Sequence, residues 1–407
     1  MTTKKLTIKS KRWIRRLILA AMVVLLPQLF FQLHVVEGPS MWPAFNDGVE
    51  REWILSLRNW ADRAPEVYDI LVVEDPENPA KRVVKRVVAL PGDHPNILDG
   101  DVRVRSLGLD KEWFLLRNLD QILSTRAPIL RLNDLRQKSK GIALEIVNDR
   151  HRCLVPLKGA CSISNEGAFL KLESQESESV VRLPELNFMD DHKSQTNRIT
   201  VGDNIVHDII VTFGIYNLST LAEGLEFEIQ HWTAPDAIPS ASLLLKIEAD
   251  GLVLRCTSGE DSPFEVSIPK QDEMVFRLVL VDDVQALMLR TGDGEEQFEV
   301  LDKRRRGPIY RPKESYLKLL SRSGSVILSQ LDIDRDIHYT SPTDGAKPQA
   351  VARALSDSQV DSGKYFLLGD NSPESRDSRH WRVTEPYQVV GRPILVVWPW
   401  SRIRVLP

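Results

Sequence analysis

Arg82-Val83-Val84-Lys85-Arg86-Val87-Val88-Ala89-Leu90, closed by Pro91-Gly92-Asp93, reads as a buried β-strand ended by a turn. Side chains alternate faces along a strand, so Val83, Lys85 and Val87 share one face and Val84, Arg86 and Val88 the other. Lys85 therefore stands between β-branched apolar neighbours. An ammonium group in such surroundings loses its hydration, which lowers its pKa. Free lysine titrates near ~10.4, so a useful base needs a fall of roughly three units, within the range that burial supplies. Arg86 is expected to stay solvated on the opposite face. Taken alone, the stretch reads more simply as an edge strand with snorkelling Lys and Arg side chains.

The neighbouring segments are of the same kind. Ile70-Leu71-Val72-Val73, ended by Glu74-Asp75-Pro76, reads as another buried strand, and Val102 and Val104 alternate with Arg103 and Arg105 after a turn at Asp99-Gly100. Trp53 to Trp60 reads as the one short helix of this region.

Upstream, Lys4, Lys5, Lys9, Lys11, Arg12, Arg15 and Arg16 precede an apolar run from Leu17 to Val36 that is interrupted only by Gln28, Gln32, His34 and Pro27. Its length suits a transmembrane helix, and the basic flank puts the N-terminus in the cytoplasm and the rest outside. His34-Val35-Val36-Glu37 offers no small-x-small cleavage site, which favours a retained anchor over a cleaved signal peptide.

Downstream the character changes. Asp110 to Arg136 is mixed, with room for a helix. Leu225, Phe227 and Ile229 alternate with Glu226, Glu228 and Gln230, and Phe276, Leu278 and Leu280 alternate with Arg277 and Val279. Leu243 to Cys256 reads as a hairpin turning at Asp250-Gly251, and Val326 to Tyr339 as a closing strand. Short alternating strands without intervening helices point to an antiparallel sandwich. Asp334-Arg335-Asp336-Ile337-His338-Tyr339 reads as the solvated end of that sandwich. Ser341 to Gln349 reads as a linker, and Tyr365 to Leu368, Tyr387 to Val390 and Arg392 to Trp398 as further strands. The divisions are therefore a basic N-terminus (1–16), a transmembrane helix (17–36), a first core segment (37–105), an inserted β domain (106–340), a linker (341–355) and a second core segment (356–407).

The formal net charge of −4 gives no general reason to expect nucleic-acid binding. Three cysteines, Cys153, Cys161 and Cys256, form no CxxC and no Cys/His cluster with zinc spacing. Cys153 and Cys161 could close a short loop or could both be small buried hydrophobes.

Ser40 lies in Gly38-Pro39-Ser40-Met41-Trp42-Pro43, just after the apolar run. A serine beside proline is usually a turn residue. Here two prolines bracket it and stiffen the backbone, and a fixed Oγ loses less entropy on reaching an attack geometry. A Ser-Lys pair is a known form of nucleophile plus base. A third block, Gly369-Asp370-Asn371-Ser372-Pro373-Glu374-Ser375-Arg376-Asp377-Ser378-Arg379, lies near the C-terminus.

Those three blocks, in that order after an N-terminal anchor, resemble type I signal peptidases, the Ser-Lys serine proteases. The resemblance covers roughly residues 10–105 and 360–400. It implies a mainly β fold, a signal-peptidase-type catalytic core interrupted by the large inserted β-sandwich, with one N-terminal transmembrane helix. It implies Ser40 as nucleophile and Lys85 as general base. Ser375 matches the serine that orients the lysine, Asp377 and Arg379 the pair that shapes the floor of the site, and Gly369, Asp370 and Asn371 the turn beneath it. Gly38 stands where some members carry a serine that donates to the oxyanion, and Ala44 replaces the usual threonine. The implied reaction is acyl transfer without a metal or cofactor. The implied partners are secretory preproteins carrying signal peptides, the lipid bilayer and the secretion machinery. The implied place is the outer face of the cytoplasmic membrane. Trp398-Pro399-Trp400 suits a membrane-facing edge, since tryptophan favours the headgroup zone. The main rival is a membrane-anchored sandwich that binds carbohydrate or protein and carries an inactive peptidase core. A self-cleaving Ser-Lys repressor is disfavoured by the anchor and by the lack of a DNA-binding segment.

Overall fold

The computed structural model describes residues 27–46, 51–58, 63–98, 100–106, 113–114, 117–132, 135–138 and 141–144, most of 153–340, then 360 and 363–406 apart from 382. The chain is mainly β. The expected linker at Ser341 to Gln349 and the basic N-terminus lie outside the described residues.

One seven-stranded antiparallel sheet carries the three sequence blocks. Its strands include β1 (Phe31–Glu37), β2 (Arg51–Arg58), β3 (Ile70–Asp75) and β4 (Asn78–Ala89). The order is β1-β2, then Val389–Trp398, then β3-β4 and Phe366–Leu368, with Arg404–Val405 added on Val389–Trp398. Strands from both ends of the sequence thus alternate in one sheet. β4 lies between β3 and Phe366–Leu368, and it is buried on both faces from Lys85 to Ala89, as a near-continuous apolar run requires.

Two local expectations are corrected. Of the run read as membrane helix over 17–36, residues 17–26 lie outside the described residues; 27–30 are helical, and strand β1 follows from Phe31, paired in register with β2 from Phe31↔Leu57 to Glu37↔Arg51. Val36 turns into a core with Met41, Phe45 and Ile54, while Leu33 and Val35 face out. That alternation satisfies a strand. Among the described residues, no helix is long and apolar enough to cross a membrane. The helix expected over Trp53 to Trp60 is instead strand β2 as far as Arg58, and Trp60 lies outside the described residues. Glu52, Ile54 and Ser56 are buried at every second position, the period of a half-buried strand.

The insert forms a sixteen-stranded, barrel-like sheet around one core that runs from Ile129 to Ile333. Its organiser is the 21-residue strand Tyr316–Asp336. The first part of that strand pairs with Ser179–Leu183 and Glu226–Trp232, the remainder with Leu170–Ser174, Ile209–Ile215 and Arg126–Arg131. One strand therefore serves both halves of the folded sheet. The Ala241–Glu248 and Gly251–Ser258 hairpin stands where Asp250-Gly251 placed it. The helix expected between Asp110 and Arg136 is short, Leu119–Ser124, with a capping box from Asn118 and Gln121.

The Asp334–Asp336 end of the long strand is not solvated, contrary to the expectation from its charge. Asp334, Arg335 and Asp336 are buried, at 1%, 5% and 4% exposure. Arg117 donates to Asp282 (2.8 Å) and Asp336 (3.0 and 2.5 Å), and Thr125 donates to Asp336 (2.8 Å). Ile337 and Tyr339, which follow, already pack with Val88, Val104 and Phe366, outside the barrel-like sheet. Cys161 and Cys256 are free thiols, and burial pushes both up to about 12. The side chain of Cys153 lies outside the described residues.

Candidate active site

Ser40 sits on a tight turn between β1 and β2. Gly38 holds φ +79°, a left-handed conformation that glycine adopts without a Cβ penalty. Trp42 N donates to Pro39 O (2.9 Å) and Phe45 N to Met41 O (2.9 Å). Met41, Trp42 and Phe45 are buried and anchor the turn. Asn46 Nδ2 donates to the Gly38 carbonyl at 2.8 Å, closing the loop on itself. Below it, the buried Glu52 accepts from Asn46 N (2.9 Å), Arg402 Nε (2.8 Å) and Arg404 Nη1 (3.1 Å).

Lys85 reaches this turn from β4. It lies opposite Leu71, on a face packed with Val83, Val87, Val73 and Leu367. Its Nζ is 3.2 Å from Ser40 Oγ, within hydrogen-bond distance. Only 2% of Lys85 is exposed. Burial brings its pKa down to about 8, against the opposing pull of the Asp377 and Asp370 carboxylates.

The third block closes beneath. Asn371 N donates to Ser40 O at 3.1 Å. Asp377 is fully buried and accepts from Gly369 N (3.0 Å) and from Arg379 Nε (2.8 Å) and Nη2 (2.7 Å). Burial alone would raise the Asp377 carboxyl, but the Arg379 charge and these hydrogen bonds hold it below the usual carboxylate range. Arg379 reaches on to the Ser372 carbonyl (2.7 Å) and hydroxyl and to the Thr340 carbonyl (3.2 Å). A Cβ on Gly369 would collide with Ser375 Oγ and the Ser40 carbonyl, so only glycine lets the two segments meet.

Two placements differ from expectation. Ser375 is at the site, but its buried Oγ has no hydrogen-bond partner among the described residues, so it does not hold Lys85 in this structure. Arg86 is not solvated. It is fully buried and forks onto Asp370, with Nε–Oδ1 2.8 Å and Nη2–Oδ2 2.7 Å, and its Nη1 donates to Tyr68 O at 3.0 Å. A bidentate guanidinium–carboxylate pair is the arrangement that lets both charges leave water. Asp370 thus ties the third block to the strand of Lys85. The adjacency of Arg86 to Lys85 was the available signal, but the pairing needs the fold.

The residues Asp101, Asp282 and Asp336 bring ligand atoms within 4.8 Å of one another at the junction. Arg117 already donates to two of them, which makes the group an ion-pair network.

A family model described as signal peptidase, peptidase S26, matches residues 10–139 and 322–398, half of the chain. The chain belongs to the signal peptidase family. The match leaves residues 140–321 uncovered, which hold most strands of the barrel-like sheet. Curated relatives include the mitochondrial inner membrane protease subunit 1 of Schizosaccharomyces pombe, 33% identical over 75 residues, 18% of this chain and 48% of that protein. Subunit 2 of the same protease from Mus musculus is 41% identical over 61 residues, 14% of this chain and 35% of that protein. The chain therefore spans half or less of the length of these relatives. Among solved structures, a legume lectin-like domain from Entamoeba histolytica overlays 43% of this chain at a TM-score of 0.29 and 9% identity, covering 87% of that domain. That overlay is too loose to inform the insert.

Proposed function

We propose that the chain is a membrane-bound serine endopeptidase that removes signal peptides from exported preproteins by a Ser40–Lys85 dyad. The observation that carries this reading is the 3.2 Å approach of Lys85 Nζ to Ser40 Oγ, with Lys85 buried and its pKa brought down to about 8. A lysine in that range is neutral often enough near neutral pH to serve as a base.

Neutral Lys85 takes the proton of Ser40 Oγ as the oxygen attacks the carbonyl carbon of the scissile bond. The ammonium then gives that proton to the leaving amine, and the acyl-enzyme remains. Lys85 next takes a proton from water, whose oxygen attacks the ester, and returns it to Ser40 Oγ on release. The oxyanion rests on the Ser40 backbone N–H and a second donor. A Cβ at Gly38 would meet nothing within 4 Å, so the open side of the turn leaves room for an extended substrate strand. Asp377, Arg379, Asp370, Asn371 and Ser375 shape the floor.

The membrane setting is supported by one exposed row. Val35, Trp53 and Trp398 are register neighbours on three adjacent strands and are 42%, 40% and 45% exposed, and Trp400 is 80% exposed. Tryptophan at such an edge suits the headgroup layer. The rival reading, a binding protein with an inactive core, sits badly with an intact Ser40–Lys85 contact. The test is cleavage of a purified preprotein by wild type, Ser40→Ala and Lys85→Ala. Loss of product in both variants is expected. Processing by both would overturn the mechanism.

A further inference from the structure

We propose that the inserted domain positions the nucleophile turn through Lys193, a proposal that rests on the Ser40–Lys85 reading above. Lys193 lies in a small hairpin of the insert, where His192–Lys193 pairs with Ile199–Thr200. The hairpin leaves the barrel-like sheet and packs against the Ser372–Glu374 turn of the third block. Its base is held by Asp190, whose carboxylate accepts from Asn204 N (2.8 Å) and Nδ2 (2.7 Å).

Lys193 is 5% exposed and engages both segments that frame Ser40. Its Nζ donates to the Asn46 carbonyl at 2.5 Å. Its own carbonyl accepts from Asn371 Nδ2 at 2.6 Å. Asn46 holds φ +60° and spends its side-chain amide on the Gly38 carbonyl, two residues before Ser40. Asn371 spends its backbone N–H on the Ser40 carbonyl. A single residue of the insert thus terminates two short hydrogen-bond chains, one ending at Gly38 and the other at Ser40. Gln195 adds a third tie, Nε2 to Glu374 Oε2 at 3.0 Å.

The physical consequence is orientation. A charged donor makes the stronger kind of hydrogen bond. The turn it clamps contains a left-handed glycine and a left-handed asparagine, conformations that a free loop would exchange for others. Rotation of the 38–39 peptide would carry the Ser40 N–H and Oγ away from the incoming carbonyl. Misplacement by about 1 Å can cost about 10²-fold in rate. Lys193 touches no reacting atom in this scheme, so it is a positioning residue acting through Asn46 and Asn371.

The experiment compares wild type, Lys193→Met, Asn46→Gly and the double variant in preprotein cleavage, with Ser40→Ala alongside. Methionine keeps the apolar stem of the side chain, and glycine keeps the left-handed backbone at position 46. Lys193→Met is expected to lower kcat roughly 10- to 100-fold, with KM within about twofold. Because Lys193 Nζ reaches the Gly38 carbonyl only through Asn46, adding Lys193→Met to Asn46→Gly is expected to cost little more. A wild-type kcat in Lys193→Met, or fully multiplicative losses in the double variant, would overturn the proposal. Hydrogen exchange gives an arm independent of catalysis. Exchange over residues 36–46 is expected to quicken in Lys193→Met while the insert strands Met274–Val281 and Val284–Thr291 keep their protection, and unchanged exchange over 36–46 would sink the idea. If Ser40→Ala still cleaves, the dyad reading falls, whereas the exchange measurement decides the role of Lys193 either way.

Discussion

Lys85 is a lysine whose surroundings oppose its charge. Its pKa stands at about 8 in the folded chain against 10.5 for the free side chain, because burial disfavours the ammonium. The unfolded state therefore binds more protons between about pH 8 and 10.5, so stability gained from this group rises with pH across that window. Below about pH 8 the buried charge is a constant cost. For the proposed reaction the neutral form is the active one. We expect kcat/KM for preprotein cleavage to climb with pH and to level off above an inflection near 8. A profile flat from pH 6 to 10 would remove Lys85 as the base. The face of Lys85 was legible from the Val83-Lys85-Val87 alternation. The fate of Arg86 was not, because its partner Asp370 lies 284 positions away and no local pattern announces it.

At the scale of elements, β1 and β2 show where periodicity misleads. The run ending at Val36 has the composition of a membrane helix, yet its last six residues pair with β2. Composition reports that a segment avoids water, whereas pairing depends on what lies beside it. The resulting edge exposes Leu33, Val35, Trp53, Trp398 and Trp400 together. Replacing Trp398 and Trp400 by serine is expected to weaken sedimentation with lipid vesicles several-fold, while the thermal midpoint stays within about 2 °C, since exposed side chains carry little stability. Unaltered vesicle binding would mean that this edge does not meet the bilayer. Trp398-Pro399-Trp400 was visible in the sequence as a candidate, but its alignment with Trp53 and Val35 across three strands appears only in the register.

For the whole molecule, the buried junction around Arg117, Asp282 and Asp336 is expected to respond to pH. Burial raises the Asp282 carboxyl to about 7, with Arg117 pulling the other way and Asp336 and Asp208 adding to the rise. The folded chain then binds more protons than the unfolded one between about pH 4 and 7, so the contribution of this group to stability falls as pH rises through that window. Asp282→Asn keeps an acceptor for Arg117 and tolerates the left-handed backbone at φ +50°. Denaturation curves are expected to show the variant gaining on wild type as pH goes from 4 to 7. A constant difference across that range would show that the carboxyl does not titrate there.

The sequence by itself determined the chemistry-bearing blocks, the alternation that makes β4 a strand and Lys85 a shielded amine, and the long run of alternating strands between the blocks. These are properties of neighbouring residues, and period and turn chemistry record them locally. The tertiary structure alone decided that Arg86 leaves water to meet Asp370, that Ser375 stands beside Gly369 without holding Lys85, and that Lys193 of the insert reaches back to Asn46. Each of those is a contact between distant segments, and its partner is chosen by which side chains remain unsatisfied when the sheet closes.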